Sequence, residues 1–254
     1  TTDFAPFTHS TNGSWMDVTI NFGQVPFNYP ALATGYQILA LNAVPSTSIR
    51  PQRHFDTILY TGNGSSQTIG GLEFAPDWVW IKIRSQSYDH AVFDTIRGAT
   101  KDLETNQTSV EQTRQMLTAF TSNGFSVGND TQANKSGDTF VAWCWKAGGT
   151  AVTNNDGSIA SQVSVNEEAG FSIISYTGNN TNNATVGHGL GKTPALLITK
   201  SRDNIISPAW HTSHVSLPTN YDIALDSTDA AWNPSTNGWH ELTNSSVFTL
   251  KKGS

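Results

Sequence analysis

Trp78-Val79-Trp80-Ile81-Lys82-Ile83-Arg84 alternates two kinds of side chain with a period of two. Val79, Ile81 and Ile83 share one face while Trp78, Trp80 and Lys82 share the other, the pattern of a β-strand with one face in a core. Residues 56–60 read as a preceding strand that ends at the turn formers Gly62-Asn63-Gly64. Further strands are expected at 91–94, 125–127 and 139–145. Only 111–120 has helical promise, with Met116, Leu117 and Phe120 at helix-compatible spacing, and it reads equally as a twisted strand.

The same unit occurs twice. Ile58-Leu59-Tyr60-Thr61-Gly62-Asn63-Gly64 returns as Ile174-Ser175-Tyr176-Thr177-Gly178-Asn179-Asn180. Pro76 then matches Pro194, the strand 78–82 matches 196–200, and Arg84 matches Arg202. After a small insertion, 123–127 meets 246–250. Internal repetition of this kind marks stacked or tandem units. We divide the chain into residues 1–54, a region outside the repeat; 55–149, the first copy; 150–169, a linker; and 170–254, the second copy. Within the first region, 15–22 alternates like a strand, and 25–51 reads as an extended, proline-bearing connector. The linker holds turn formers, and Asp156-Gly157 could close a small hairpin between 151–153 and 158–165. Thr139-Phe140-Val141-Ala142-Trp143-Cys144-Trp145 has no counterpart in the second copy. An unpaired edge is therefore expected near 247–250, covered by following sequence or by a neighbouring subunit, so the chain should not be a free monomer.

Composition agrees with strands and turns. Only 37% of the 254 residues are hydrophobic and 13% charged, yet eight Trp, twelve Phe and six Tyr supply large apolar area at few positions. A formal net charge of -6, with no Lys/Arg-rich patch, argues against a nucleic-acid partner. Cys144 is the sole cysteine, which excludes an intramolecular disulfide and a cysteine-based zinc site. The first residues lack a leader-like pattern and no apolar run is long enough to cross a bilayer, so a soluble chain is expected.

Several segments together resemble phage tail-fibre and virion surface proteins with concanavalin A-like, SPRY or lectin-like jelly-roll domains. They are Asn21-Phe22-Gly23-Gln24-Val25-Pro26-Phe27, Gly35-Tyr36-Gln37 before Leu41-Asn42, and Tyr60-Thr61-Gly62-Asn63-Gly64. The series continues with 76–82, Phe93-Asp94, Arg97-Gly98-Ala99 and 140–149. The resemblance implies an all-β fold of tandem antiparallel β-sandwich units, with residues 1–54 ending a preceding SPRY-like domain. It also implies a place on the virion surface as the lectin-like part of a tail fibre or host-attachment appendage. Other virion proteins and a host surface glycan would be its partners, and a homotrimer its assembly. A decoration, knob or cement protein with no receptor role is the alternative. The resemblance brings no set of ligand residues and no cofactor.

A polysaccharide-degrading glycosidase is a further alternative, which needs two carboxylates facing one cleft. The alternating acids of sandwich-fold glucanases are missing, and Glu167-Glu168, being adjacent, would point to opposite faces of a strand. The chain is therefore read as a non-enzyme. Trp78 and Trp80, like Trp143 and Trp145, share strand parity; packing is the first reading and a sugar-stacking platform the second. Trp210 and His211, aligned with Phe93-Asp94, join Trp78 and Trp80 as candidate ligand-binding residues. His211 and His214 with Asp222 could hold a metal, as could the oxygen-rich run Asn129-Asp130-Thr131 with Asn134 and Asp138; plain loops are the preferred reading of both. Asp130 and Asp138 are its metal candidates. Cys144 should be a buried, inert thiol.

Overall fold

The computed structural model describes residues 50–205, 210–218, 221–231, 239–242 and 244–251, all within one compact unit, 49–254, distinct from residues 1–48. The strand read at 15–22 and nearly all of the connector at 25–51 lie outside the described residues. Nine strands form the first half: β1 (Phe55–Thr61), β2 (Gln67–Gly70), β3 (Trp78–Ile83), β4 (Ala91–Asp94), β5 (Lys101–Asp102), β6 (Gln112–Thr113), β7 (Leu117–Thr121), β8 (Gly124–Val127) and β9 (Thr139–Trp145). Among the described residues nine follow: β10 (Val152–Asn154), β11 (Ser161–Asn166), β12 (Phe171–Tyr176), β13 (Ala184–Gly187), β14 (Leu196–Lys200), β15 (Trp210–His214), β16 (Ile223–Ala224), β17 (His240–Glu241) and β18 (Val247–Leu250). The described residues contain one short α-helix, α1 (Thr131–Asn134). The protein is all-β, and its sheets are antiparallel.

In the first half, a sheet ordered β1-β9-β3-β4 packs on one ordered β2-β8-β7. Alternation places Val79, Ile81 and Ile83 of β3 and Phe140, Ala142 and Cys144 of β9 inward, where they meet Ile69, Leu117, Phe125 and Val127. Each is 8% exposed or less, and burying such a side chain stabilises by roughly 1.5 to 3 kcal/mol for the larger ones. The segment at 111–120 holds β6 and most of β7, joined by a bend, and no helix. A register shift between Leu117 and Ala119 bulges β7 against β8, which breaks the alternation and mimics helical spacing.

The motif Tyr60-Thr61-Gly62-Asn63 grips the α1 turn that leads into β9. Tyr60 donates its hydroxyl to the Ala133 carbonyl at 2.7 Å, and the Asn63 N–H donates to Asn134 Oδ1 at 2.9 Å. Gly62 lies so close to the Lys135 carbonyl that a Cβ there would collide with it.

Part of the strand pairing in the second half repeats the first. Gln67↔Val127 through Gly70↔Gly124 in β2/β8 corresponds to Ala184↔Leu250 through Gly187↔Val247 in β13/β18. Tyr60 meets Phe125 edge-on with centroids 6.1 Å apart, and Tyr176 meets Phe248 edge-on at 6.1 Å. Residues 150–169, read as a linker, form the expected hairpin as β10 and β11. That hairpin docks on β12, so the stretch is part of a sheet ordered β10-β11-β12. Glu167 and Glu168 sit in the turn between β11 and β12, not on a strand.

Two expectations need correction. First, β18 is not an edge: it is the central strand of β13-β18-β17. Position near the end of a sequence does not predict position in a sheet whose neighbours are non-sequential. Second, β15 registers on β14 with Leu196↔His214 and Thr199↔His211, whereas β3/β4 pairs Trp78↔Asp94 and Ile81↔Ala91. His211 therefore stands where Ala91 is, and Ser213-His214 stands where Phe93-Asp94 is, three residues beyond the sequence match.

Candidate functional site

Trp78 and Trp80 on β3 and Trp143 and Trp145 on β9 all emerge on the outer face of the first sheet, paired as Trp78↔Trp145 and Trp80↔Trp143. At one end, Trp145 stacks on Phe171 with centroids 6.1 Å apart and planes 20° apart, and Trp78 meets Phe171 edge-on at 6.5 Å. Phe55 leans on Trp145 at 4.7 Å. That end is packing. Beside it, Phe55, Trp80, His90, Trp143 and Trp145 line a shallow apolar groove of about 240 Å³. Trp80 and Trp143 meet at 72° with centroids 6.0 Å apart, so their faces form a corner. Leu59, 62% exposed, lies on the same outer face of β1.

One polar contact orients the groove. Trp80 Nε1 donates to His90 Nδ1 at 3.0 Å, which requires His90 unprotonated at that nitrogen. Burial, and then the nearby Lys82 ammonium, lower the His90 pKa, so the accepting form is the stable one at neutral pH. Sequence reading found the four tryptophans by parity but missed Phe55, His90 and Phe171. No local signal marks His90. Phe171 could have been found, because it heads its strand in the second copy as Phe55 does in the first.

The model of the family described as domain of unknown function DUF7483 matches residues 50–254. The chain belongs to that family. The DUF7483 match spans both copies of the repeat and contains the whole aromatic face. No curated protein and no solved structure matches the chain.

The remaining candidates fall elsewhere. Trp210 is 3% exposed and donates Nε1–H to the Glu104 carbonyl at 2.7 Å, so it anchors the second half of this DUF7483 chain to the first. His211 is 4% exposed and packs against Trp239, while His214, three residues along the strand, is exposed. Odd spacing on a strand sends the two imidazoles to opposite faces, away from a shared metal. Asp222 instead accepts from Ser213 Oγ at 2.5 Å and from the Trp239 N–H at 3.1 Å. Asp130 caps α1 and pairs with Arg114, and Asp138 takes Ser85, Gln86 and Lys135. Among the described residues no group of three His, Cys, Asp or Glu could hold a metal ion.

Acids do gather, but around arginine. Arg114 lies 3.2 Å from Glu104, 3.5 Å from Asp102 and 3.2 Å from Asp130, with the Asp102 side chain wholly buried. Burial first, and then the Glu104 charge, push the Asp102 pKa up to about 7, against the pull of Arg114. The folded chain therefore holds a proton on Asp102 between its ordinary value and about 7, where the unfolded chain does not. Stability attributable to this group is greatest at low pH and falls as pH rises toward 7. We expect Asp102→Asn to flatten that decline, worth about 2 to 4 kcal/mol between pH 4.5 and 8. Urea unfolding of both proteins across that range measures it, and equal slopes would contradict the assignment.

Proposed function

We propose that this DUF7483 chain is a bacteriophage surface protein, part of a tail fibre or host-attachment appendage built from tandem sandwich units. Its outer aromatic groove would take a glycan of the host envelope. The groove between Trp80 and Trp143 carries this reading. Ligand sites pair apolar walls with a few oriented polar groups, and here His90 is the fixed polar group beside two indole faces. Pyranose rings present C–H faces that suit such a corner, and the chain's few charges leave the surface dominated by Thr, Ser and Asn. The sequence resemblance supplies the virion context and the expectation of a trimer. The activity is binding, not catalysis.

Tryptophan fluorescence titrated with a panel of bacterial surface polysaccharides tests the proposal. A binder should appear in the panel, and Trp80→Ala and Trp143→Ala should each weaken it at least about tenfold, or 1.4 kcal/mol. Trp210→Phe, outside the groove lining, should leave binding unchanged. A panel without any binder, or binding indifferent to Trp80 and Trp143, rejects the receptor role. The exposure of Phe55 and Leu59 on this face favours a second reading, a decoration protein whose aromatic face is buried on another virion chain. In that case Trp80 and Trp143 would be shielded from acrylamide in assembled particles and accessible in the isolated protein.

A further inference from the structure

In the first half, β9 lies between β1 and β3 and pairs with both along their lengths. Their counterparts by repeat are β12 and β14. β12 pairs with β11 and β14 with β15, and among the described residues no strand pairs with both β12 and β14. The effect on burial is visible in β14. Val79 and Ile81 of β3 are 0% and 1% exposed, while their equivalents Leu197 and Thr199 are only half-buried. On the outer face, Leu196 and Ile198 are 51% and 36% exposed. The core between the second set of sheets is correspondingly thin: Ile159, Ala184, Val186, Phe248 and Leu250, without contributions like those of Phe140, Ala142 and Cys144.

A second, independent sign is the retained grip motif. Tyr176-Thr177-Gly178-Asn179 repeats the residues that hold the α1 turn in the first half, and Tyr176 keeps the same contact to the core. No turn like α1 meets it among the described residues.

We propose that the gap between β12 and β14 is a receptor for an incoming polypeptide segment of β9's chemistry. That segment has a short turn bearing an asparagine for the Tyr176-Asn179 grip. A strand of about seven residues follows, antiparallel to both neighbours, with an aromatic and then small residues facing inward. This is recognition by strand addition: backbone hydrogen bonds supply affinity, and the alternate side chains supply selectivity. It does not depend on the glycan reading, since the groove lies on the other half of the chain.

The probe is a peptide with the sequence of residues 130–146, which contains the turn and the strand. It should bind the chain one to one and slow amide exchange at 196–200 by at least tenfold, with a smaller gain at 171–176. The same peptide carrying Phe140→Asp and Ala142→Asp should do neither. No added protection at 196–200 overturns the proposal. Protection already present in the chain alone at the amides of 196–200 that do not bond to β15 also overturns it, because the chain's own residues would then fill the gap. Protection that grows only with protein concentration assigns the gap to a second copy and likewise overturns it.

Discussion

Replacing Asn134 with alanine should lower the unfolding free energy by roughly 3 to 5 kcal/mol, one of the largest effects of any single polar change in the chain. Asn134 is 0% exposed. Its Oδ1 accepts from the Asn63 N–H at 2.9 Å and from Gln67 Nε2 at 2.7 Å. Its Nδ2 donates to the Gly128 carbonyl at 2.7 Å, to Asn63 Oδ1 at 3.1 Å and to the Ser65 carbonyl. Two protons thus serve three acceptors, and the amide is saturated. Alanine would leave backbone groups of Asn63, Ser65 and Gly128 without their partner inside the fold. Asn134→Asp preserves the size and the acceptor but turns a carboxylate toward two carbonyls, so it should be at least as costly. Gln67→Ala, near the surface, should cost under about 1 kcal/mol. Urea denaturation of the three variants ranks these effects; Asn134→Ala within about 1 kcal/mol of the parent would refute the hub assignment.

Acid should weaken the second half selectively, by roughly 3 to 5 kcal/mol between pH 7 and pH 3.5. The source is His240, which stands at the Leu117 position of the repeat, as the pairs His240↔Leu250 and Leu117↔Val127 show. Its neighbours have changed with it: Thr199 for Ile81, His211 for Ala91 and Ser213 for Phe93. The protons can be placed by elimination. Ser213 donates its single hydroxyl proton to the Asp222 carboxylate, so its oxygen must accept from His240 Nδ1–H at 3.1 Å. His240 Nε2 is then the acceptor for the Thr199 hydroxyl at 3.1 Å. The order is Asp-Ser-His, with the carboxylate on the serine and not on the imidazole, so the histidine cannot take the serine proton as a nucleophile triad requires.

Burial, and then the neighbouring His211, lower the His240 pKa to about 3. The folded state keeps it neutral while the unfolded chain protonates it below its ordinary value. Stability is therefore complete above about pH 6.5 and lost as pH falls toward 3. His240→Leu, which restores the first copy's residue, should be less stable than the parent at pH 7, where Ser213 and Thr199 lose a partner. Its stability should change little on acidification, so the two curves cross. Amide exchange over β14 and β15 follows the relevant half, and parallel pH curves would count against His240.

Much of the first half was legible because the inward positions of β3 and β9 are apolar without exception. The alternation over 78–83 survives intact into β3, and that over 139–145 survives in β9 except at the buried Val141. In the second half the same inward positions carry Thr199, His211, Ser213 and His240, and the pattern that marks a core is overwritten by a polar network. The sequence match between the two copies consequently slips by three residues at β15. The aromatic face was half legible: parity gathers the tryptophans of one strand, but only topology sets β3 beside β9 and brings His90 to Trp80. The Asn-rich loop at 129–138 showed its polarity and concealed its use, since a metal site and a hydrogen-bond hub draw on the same residue types.

Cys144 sits 0% exposed at the centre of the first sheet, between Val79 and Asp56 on the flanking strands, and burial followed by the Asp56 charge pushes its pKa up to about 12. Thiol chemistry runs through the thiolate, so a maleimide or disulfide reagent reaches this sulfur only after the two sheets of the first half have parted or β9 has left its neighbours. With a single cysteine in 254 residues, the labelling rate is a clock for that one event, set by how often the sheet opens and not by surface chemistry. The chain thus contains its own stopwatch for the opening of its first half.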